Sequence, residues 1–178
     1  SEPPPIETSI PIPRCPMTLP TDAELNTIGV LRRRLIEARI VAPLLQAMAA
    51  EFGPERVHAI ARDVISGIAR AQGDELARTH GGRSLPVLHK TLDKWTADEA
   101  LTLSMHEVSD ALLSFDVTRC RYAEMYRELG IPELGAILSC NRDGALIEGF
   151  NPAVVLRRTQ TLMAGGSHCD FRYTTPSP

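Results

Sequence analysis

The spacing of apolar residues changes near residue 100, and this change restricts the possible fold more than any other feature of the sequence. Before it, apolar residues recur every three to four positions in two stretches: Leu31, Leu35, Ala38, Ala42 and Leu45, then Val57, Ile60, Ala61, Val64, Ile68 and Ala71. That spacing predicts helices with one apolar face. After it, apolar and polar residues alternate over 101–107 and 113–117, which predicts strands with one buried face. The order predicts an α+β protein in which N-terminal helices pack on a mostly antiparallel sheet with an inserted helix.

Capping residues and helix breakers set the limits of the predicted helices. A capping box over 21–24 opens the first helix, Gly53-Pro54 ends it, and a kink or break is expected at Pro43. A second helix is predicted over 54–80 and a shorter one over 84–95. The arginines of the first helix are interpreted as its solvated side: Arg32, Arg33, Arg34 and Arg39.

The second half of the chain mixes strands with shorter helices. The inserted helix is predicted over 118–129, and a further short helix ends at Cys140 and leads into a loop over 141–144. Two more strands are predicted over 154–162 and 169–174.

Composition is that of an ordinary globular protein. The 178 residues include 43% apolar and 23% charged residues, which predicts a single domain over 21–178. Residues 1–20 hold seven of the fourteen prolines and are predicted to form an extended arm. The net charge of -3 gives no basic face for nucleic acid.

Several further expectations concern where the protein acts and with what. The apolar runs are too short to cross a bilayer, and no secretory signal is visible, so we expect a cytoplasmic protein with reduced thiols. The apolar first helix and the proline-rich arm favour a homo-oligomer. A phosphate-binding glycine loop and a Gly-x-Ser-x-Gly elbow are both missing, which disfavours nucleotide use and serine-hydrolase chemistry.

The cysteines of the second half, Cys120, Cys140 and Cys169, are candidates for chemistry, whereas Cys15 is interpreted as inert. A free cysteine often packs as a small apolar side chain, and a thiolate serves as a nucleophile or a metal ligand. Their separations of 20 and 29 residues lack the close ligand pairs of common zinc motifs. A tetrahedral zinc site is therefore the weaker alternative, its further ligands being drawn from His168, Asp143 and Asp170.

Three segments carry a resemblance to a known family: 120–130, 140–143 and 158–173, the last closing on Gly165-x-x-x-Cys-Asp-Phe-Arg-Tyr173. They resemble the L-2-amino-thiazoline-4-carboxylic acid hydrolase family. The resemblance implies a small hydrolase that opens a heterocycle, and we expect no cofactor. The type reaction adds water at C2 of an aminothiazoline ring and breaks the ring C–S bond, which yields N-carbamoyl-cysteine.

With this resemblance, a thiolate of Cys140 or Cys169, or of Cys120, is the expected nucleophile at the amidine-like ring carbon. His168 and Asp143 are expected to handle protons. A substrate-binding role is expected for three residues, with Arg158 holding the negative group of the substrate: Arg158, Asp116 and Tyr122.

Two alternatives remain open from the sequence. One is a small-molecule or metal-binding module that uses the cysteines as ligands or sensors without turnover. The other is a family member that acts on a different ring amide or imine, because a shared fold does not fix the substrate.

Overall fold

Two long helices form the N-terminal part of the structure. The computed structural model describes residues 22–176, so the predicted arm over 1–20 and its Cys15 lie outside the described residues, as does Thr21 of the capping box. A short helix, α1 (Asp22–Leu25), and a 3₁₀ turn (Asn26–Ile28) lead to α2 (Val30–Phe52) and α3 (Pro54–Thr79). Gly53 alone separates α2 from α3, and its φ of 87° lies in the left-handed region that glycine adopts without strain.

Helix α2 differs from its prediction in two ways. It continues through Pro43, so the predicted break is wrong. Pro43 has no N–H to donate to the carbonyl of Arg39, four residues earlier. Both residues are exposed, so water can reach that carbonyl. The solvated position predicted for Arg34 is also wrong, because Arg34 lies on the buried stripe of α2 with the small side chains of Ala38 and Ala42.

The rest of the chain forms a sheet with helices inserted between its second and third strands. The elements are α4 (Leu85–Thr91), α5 (Asp93–Thr96), β1 (Leu101–Val108), β2 (Leu112–Cys120), α6 (Arg121–Glu128), α7 (Pro132–Gly135), a π-helical turn (Ala136–Cys140), α8 (Arg142–Phe150), β3 (Val155–Arg157) and β4 (Cys169–Thr174). The strand order is β1-β2-β4-β3, and each neighbouring pair is antiparallel. The predicted α+β class is confirmed.

Two local predictions in this half are wrong. Of the predicted loop over 141–144, Asn141 alone is a turn residue and the other three start α8, because packing of α8 on α3 outweighs the turn preference of this segment. The strand predicted over 154–162 is limited to β3. The backbone N–H groups of Thr159 and Gln160 both donate to the Asp170 carboxylate at 2.9 Å, so they do not join the sheet ladder.

The helices cover one face of the sheet and build the core there. The covered face carries Phe115, Val117, Cys169 and Phe171, which pack against α3, α4 and α8. Opposite it, the outer face carries Asp116 and the polar residues paired with it in β4.

Helices α3 and α8 approach each other at two glycines. A Cβ atom at Gly73 would lie 2.0 Å from the carbonyl oxygen of Leu146, and one at Gly149 would lie 1.9 Å from that of Arg70. Only glycine allows this backbone contact, which fixes α8 against α3 and so positions the residues at the start of α8.

The outward faces of α2 and α3 carry exposed apolar side chains, namely Ile36, Ile40, Leu44, Ile60, Val64 and Ile68. The homo-oligomer stays a prediction, and these side chains are where a second copy would pack. Within residues 22–176, none of the helices combines the length and the apolar character that a bilayer crossing requires.

Candidate functional site

A cavity of about 460 Å³ lies between the covered face of the sheet and helices α2, α3 and α8. Much of its wall is apolar, with Leu76, Leu88, Leu101, Phe115 and Phe171 among the lining residues. This volume is in the range of sites that enclose a small organic molecule. All three candidate cysteines line the cavity, together with Asp143, Arg158 and Tyr122.

The three thiols have different surroundings. Cys120 is the N-cap of α6, where its sulfur accepts the N–H of Ala123 at 3.4 Å. Cys169 starts β4, and its sulfur accepts the N–H of Leu162 at 3.2 Å. Cys140 ends the π-helical turn and is separated from α8 by Asn141.

Burial disfavours the charged form of all three thiols. It raises the pKa of Cys120 to about 11 and that of Cys140 to about 12, and it raises the pKa of Cys169 as well. The negative charge of Asp143 adds to the increase at each thiol, whereas Arg158 lowers the pKa of Cys140 and Cys169. In the unliganded protein the thiols are therefore protonated at neutral pH, and a nucleophilic role requires a base.

Asp143 and Arg158 form the ion pair of the cavity. An Nη1–H of Arg158 donates to Oδ2 of Asp143, and Nη2 donates to the carbonyl of Cys140 at 3.2 Å. The guanidinium also lies 5.0 Å from the centre of the Phe171 ring, within cation–π range. Arg158 is thus held on three sides.

The Asp143 carboxyl is the member of this pair that can change its protonation. Its side chain is 35% exposed, and because it lines the cavity that exposure faces the cavity space. Burial raises the pKa of Asp143, and the opposing pull of Arg158 only partly offsets that increase. The pKa of Arg158 is itself raised by Asp143 against the effect of burial, so Arg158 is a permanent cation. A carboxyl of raised pKa in a cavity can act as a general base.

Tyr122 is the remaining predicted binding residue on the cavity wall. Its hydroxyl donates to the carbonyl of Trp95 at 3.4 Å, and burial raises the pKa of Tyr122. Tyr122 is therefore a neutral, partly buried hydroxyl.

Two predicted site residues, His168 and Asp116, lie on the outer face of the sheet, away from the cavity lining. Their side chains are 3.8 Å apart, and the Asp116 carboxylate also contacts Arg172 at 2.8 Å and His106 at 3.0 Å. The Arg172 hydrogen bond is the main reason that the pKa of Asp116 is lowered. These residues form a polar cluster of their own and do not reach the thiols.

Sequence reasoning missed two cavity residues, Arg34 and Arg142, both of which are buried. A signal for Arg34 was available, since it lies one turn before Ala38 and two turns before Ala42 on one stripe of α2. Arg142 stands in the segment predicted as a loop, and nothing in its spacing indicated burial.

Within residues 22–176 no group of three or more His, Cys, Asp or Glu side chains is arranged to hold a metal ion. Asp170, one of the suggested zinc ligands, binds Thr159 and Gln160 instead. The tetrahedral set considered from the sequence is not assembled in the described part of the chain.

Comparison with known proteins gives one family match and likenesses to six chains of solved structures. The chain matches the crystal structure of the phenol-responsive sensory domain of the transcription activator PoxR with phenol, at 13% identity and a TM-score of 0.46, over 76% of this chain and 72% of that one. A search of curated proteins gives no match. The family model described as L-2-amino-thiazoline-4-carboxylic acid hydrolase matches residues 33–173, which include every cavity-lining residue named above. The chain belongs to the L-2-amino-thiazoline-4-carboxylic acid hydrolase family.

Proposed function

We propose that this protein is a hydrolase that opens a small anionic heterocycle by cysteine-assisted cleavage of a C–S or C–N bond. The observation that carries the proposal is the presence of three thiols and the Asp143–Arg158 pair on the wall of one cavity. Family membership supports the same reaction class. A cyclic amidine, imine or amide has an electrophilic ring carbon that a thiol can attack.

Cys169 is the proposed nucleophile. The N–H of Leu162 points at its sulfur, and Arg158 lowers its pKa, so two groups would stabilise a thiolate there. Cys120 also accepts a backbone N–H, but no cation is among the main influences on its pKa. At Cys140 the charge of Asp143 raises the pKa more than Arg158 lowers it. Cys169 thus has the best support of the three for a transient negative charge.

Asp143 is the proposed general base. It accepts the thiol proton of Cys169 as the sulfur bonds to the ring carbon, and the electron pair of the C=N bond moves to nitrogen, which takes up a proton from solvent. The tetrahedral centre then collapses, the ring C–S bond breaks, and Asp143 returns its proton to the departing sulfur.

Water completes the reaction. It adds to the S-linked carbon and gives one proton to Asp143, which passes it to the sulfur of Cys169 as the bond to the enzyme breaks. The second proton of the water returns to solvent and balances the proton that the nitrogen took up. The net change is the addition of one water molecule to the substrate, with Cys169 and Asp143 regenerated.

Arg158 is proposed to hold Asp143 in place and keep it ionised. Its hydrogen bonds to Asp143 and Cys140 and its position over Phe171 already engage the guanidinium. The expectation that Arg158 alone binds the negative group of the substrate is therefore less well supported than this positioning role.

The proposal is tested with 2-aminothiazoline-4-carboxylate and analogues that carry larger apolar substituents. Ring opening releases a thiol that a chromogenic reagent detects, and acid-quenched protein analysed by peptide mass mapping reveals any covalent adduct. We expect thiol release above background and an adduct on the Cys169 peptide. If no analogue releases a thiol, the ring-opening proposal fails.

Binding without turnover is a second candidate, and one observation favours it. Burial keeps all three cavity thiols protonated, as in a site that only encloses its ligand. Saturable ligand binding with no thiol release from any analogue would support this candidate.

A further inference from the structure

Two buried guanidinium groups, those of Arg34 and Arg142, reach the cavity wall from α2 and from the start of α8. Arg34 is only 7% exposed and Arg142 only 9% exposed. Buried arginines usually have a matching negative charge, because removing an ion from water costs several kcal/mol.

Asp143 acts on both arginines electrostatically but is already paired with Arg158. The carboxylate that contacts them in the described residues is that of Glu37. Arg34 donates to its Oε2 at 2.5 Å, and Nη2 of Arg142 lies 3.8 Å from the same oxygen. Arg33 takes the other oxygen of Glu37 at 3.0 Å. The closer contacts of Arg142 are with neutral oxygens, the carbonyl of Leu138 at 2.8 Å and the side chain of Gln72 at 3.4 Å.

Arg34 and Arg142 thus share one carboxylate, so the end of the cavity that they line has an excess of positive charge. Burial and the nearby charge of Arg34 lower the pKa of Arg142 to about 10, which agrees with a guanidinium that lacks a full counter-charge. The Arg158 side of the cavity differs, because Asp143 balances Arg158 directly. A ligand carrying a negative group gains more at the Arg34–Arg142 end than at the Arg158 end.

The rest of the cavity indicates what this ligand carries besides its charge. Leu88, Leu92, Trp95 and Leu103 line it, and they offer a broad apolar surface. The volume of about 460 Å³ lies in the range of pockets that enclose drug-sized molecules, and it exceeds what a bare five-membered ring with one carboxylate would fill.

We infer that the cavity binds an organic acid with an apolar body, whose carboxylate is held by Arg34 and Arg142. The planar guanidinium forks suit a carboxylate, and the apolar body lies against the leucine and tryptophan wall. This inference concerns binding and holds whether or not the proposed ring opening takes place.

The test compares two probes of the same shape that differ in charge, naphthoate and its neutral amide naphthamide, by isothermal titration calorimetry on the full chain. We expect the wild type to bind naphthoate roughly tenfold or more tightly than naphthamide. Arg34→Gln and Arg142→Gln should each reduce this ratio to about threefold or less. Arg39→Gln, at an exposed position of the same helix, should leave the ratio unchanged.

Three results would overturn the inference: equal affinity of the wild type for both probes, no measurable binding of naphthoate, or an unchanged ratio in both glutamine variants. If a glutamine variant does not fold, the lysine variants replace it. Arg34→Lys and Arg142→Lys keep the charge but not the planar fork, and each is expected to lose about two- to tenfold of the naphthoate affinity. No loss in either would also overturn the assignment. Because the titration measures no turnover, a failed ring-opening assay leaves its outcome unaffected.

Discussion

The contact between α3 and α8 can be tested with a single methyl group. In Gly73→Ala the new Cβ would lie 2.0 Å from the carbonyl oxygen of Leu146 and 2.7 Å from the N atom of Phe150. Both are backbone atoms, so no side chain can rotate away. Since ordinary contact begins near 3.4 Å, the helices would have to separate by about 1.4 Å.

The expected cost follows from two opposing effects. Forced separation of packed elements costs about 1–3 kcal/mol and sometimes more, whereas alanine is favoured over glycine inside a helix by about 1 kcal/mol. Gly67→Ala is the matched control, because Gly67 lies in the same helix with nothing within 4 Å of its Cβ position. Gly67→Ala should gain up to about 1 kcal/mol, and Gly73→Ala should lie at least ~1–2 kcal/mol below the wild type.

Urea unfolding followed by circular dichroism gives the free energy of unfolding for both variants. Naphthoate titration of the same samples reports on the cavity, because a displaced α8 moves Arg142 and Asp143. Equal stability of the two variants would refute the reasoning, since it would mean that α3 and α8 do not approach through Gly73.

Three further predictions follow from the electrostatics of the cavity and of the outer face. Burial raises the pKa of Cys140 from 9.0 to about 12, so the buried neutral thiol contributes its full stability below pH 9.0 and loses it as the pH rises towards 12. In urea unfolding, Cys140→Ser should therefore lose less stability than the wild type over that pH range. Arg158→Met should raise the pKa of Asp143 further and move the acid limb of the kcat/KM profile upward by ~1–3 pH units. The control Arg157→Met, at an exposed position, should leave the limb in place. An unmoved limb in Arg158→Met would rule out Asp143 as the base. His168→Ala should keep kcat within about twofold of the wild type, because His168 lies on the outer face of the sheet. A loss of a hundredfold or more would show that His168 transfers protons in the reaction.

The sequence was sufficient to predict the helices and strands that depend on residues close together in the chain. The helix predicted over 54–80 and the strands β1, β2 and β4 follow from apolar spacing and from glycine and proline, which act within a few residues. The helix predicted over 118–129 is also present, but it starts at Arg121 because β2 continues to Cys120. The alternation over 113–117 also implies that Asp116 lies on the face opposite Phe115 and Val117, where the structure has it.

What the sequence did not indicate depends on contacts between distant segments. The start of α8 carries turn residues, yet the glycine contact with α3 makes it helical and turns Arg142 inward. The segment after β3 leaves the sheet because Asp170, eleven residues further on, takes the N–H of Thr159. Neither contact produces a repeating pattern in the sequence from which it could have been predicted.

For the candidate site, too, some features could be predicted from the sequence and others could not. That Cys120, Cys140 and Cys169 belong together was inferred from a family resemblance, and the structure places all three on one cavity wall. The burial that raises their pKa values could not be foreseen, because it depends on how the sheet and helices enclose them.

The central claim, that Cys169 is the nucleophile of a ring-opening reaction, is tested most directly by comparing Cys169→Ser with Cys120→Ser in the thiol-release assay. Both cysteines line the cavity, and serine at position 120 keeps the N-cap of α6. We predict that Cys169→Ser lowers kcat on the order of a thousandfold or more, while Cys120→Ser stays within about tenfold of the wild type. Full activity in Cys169→Ser would contradict the proposed mechanism.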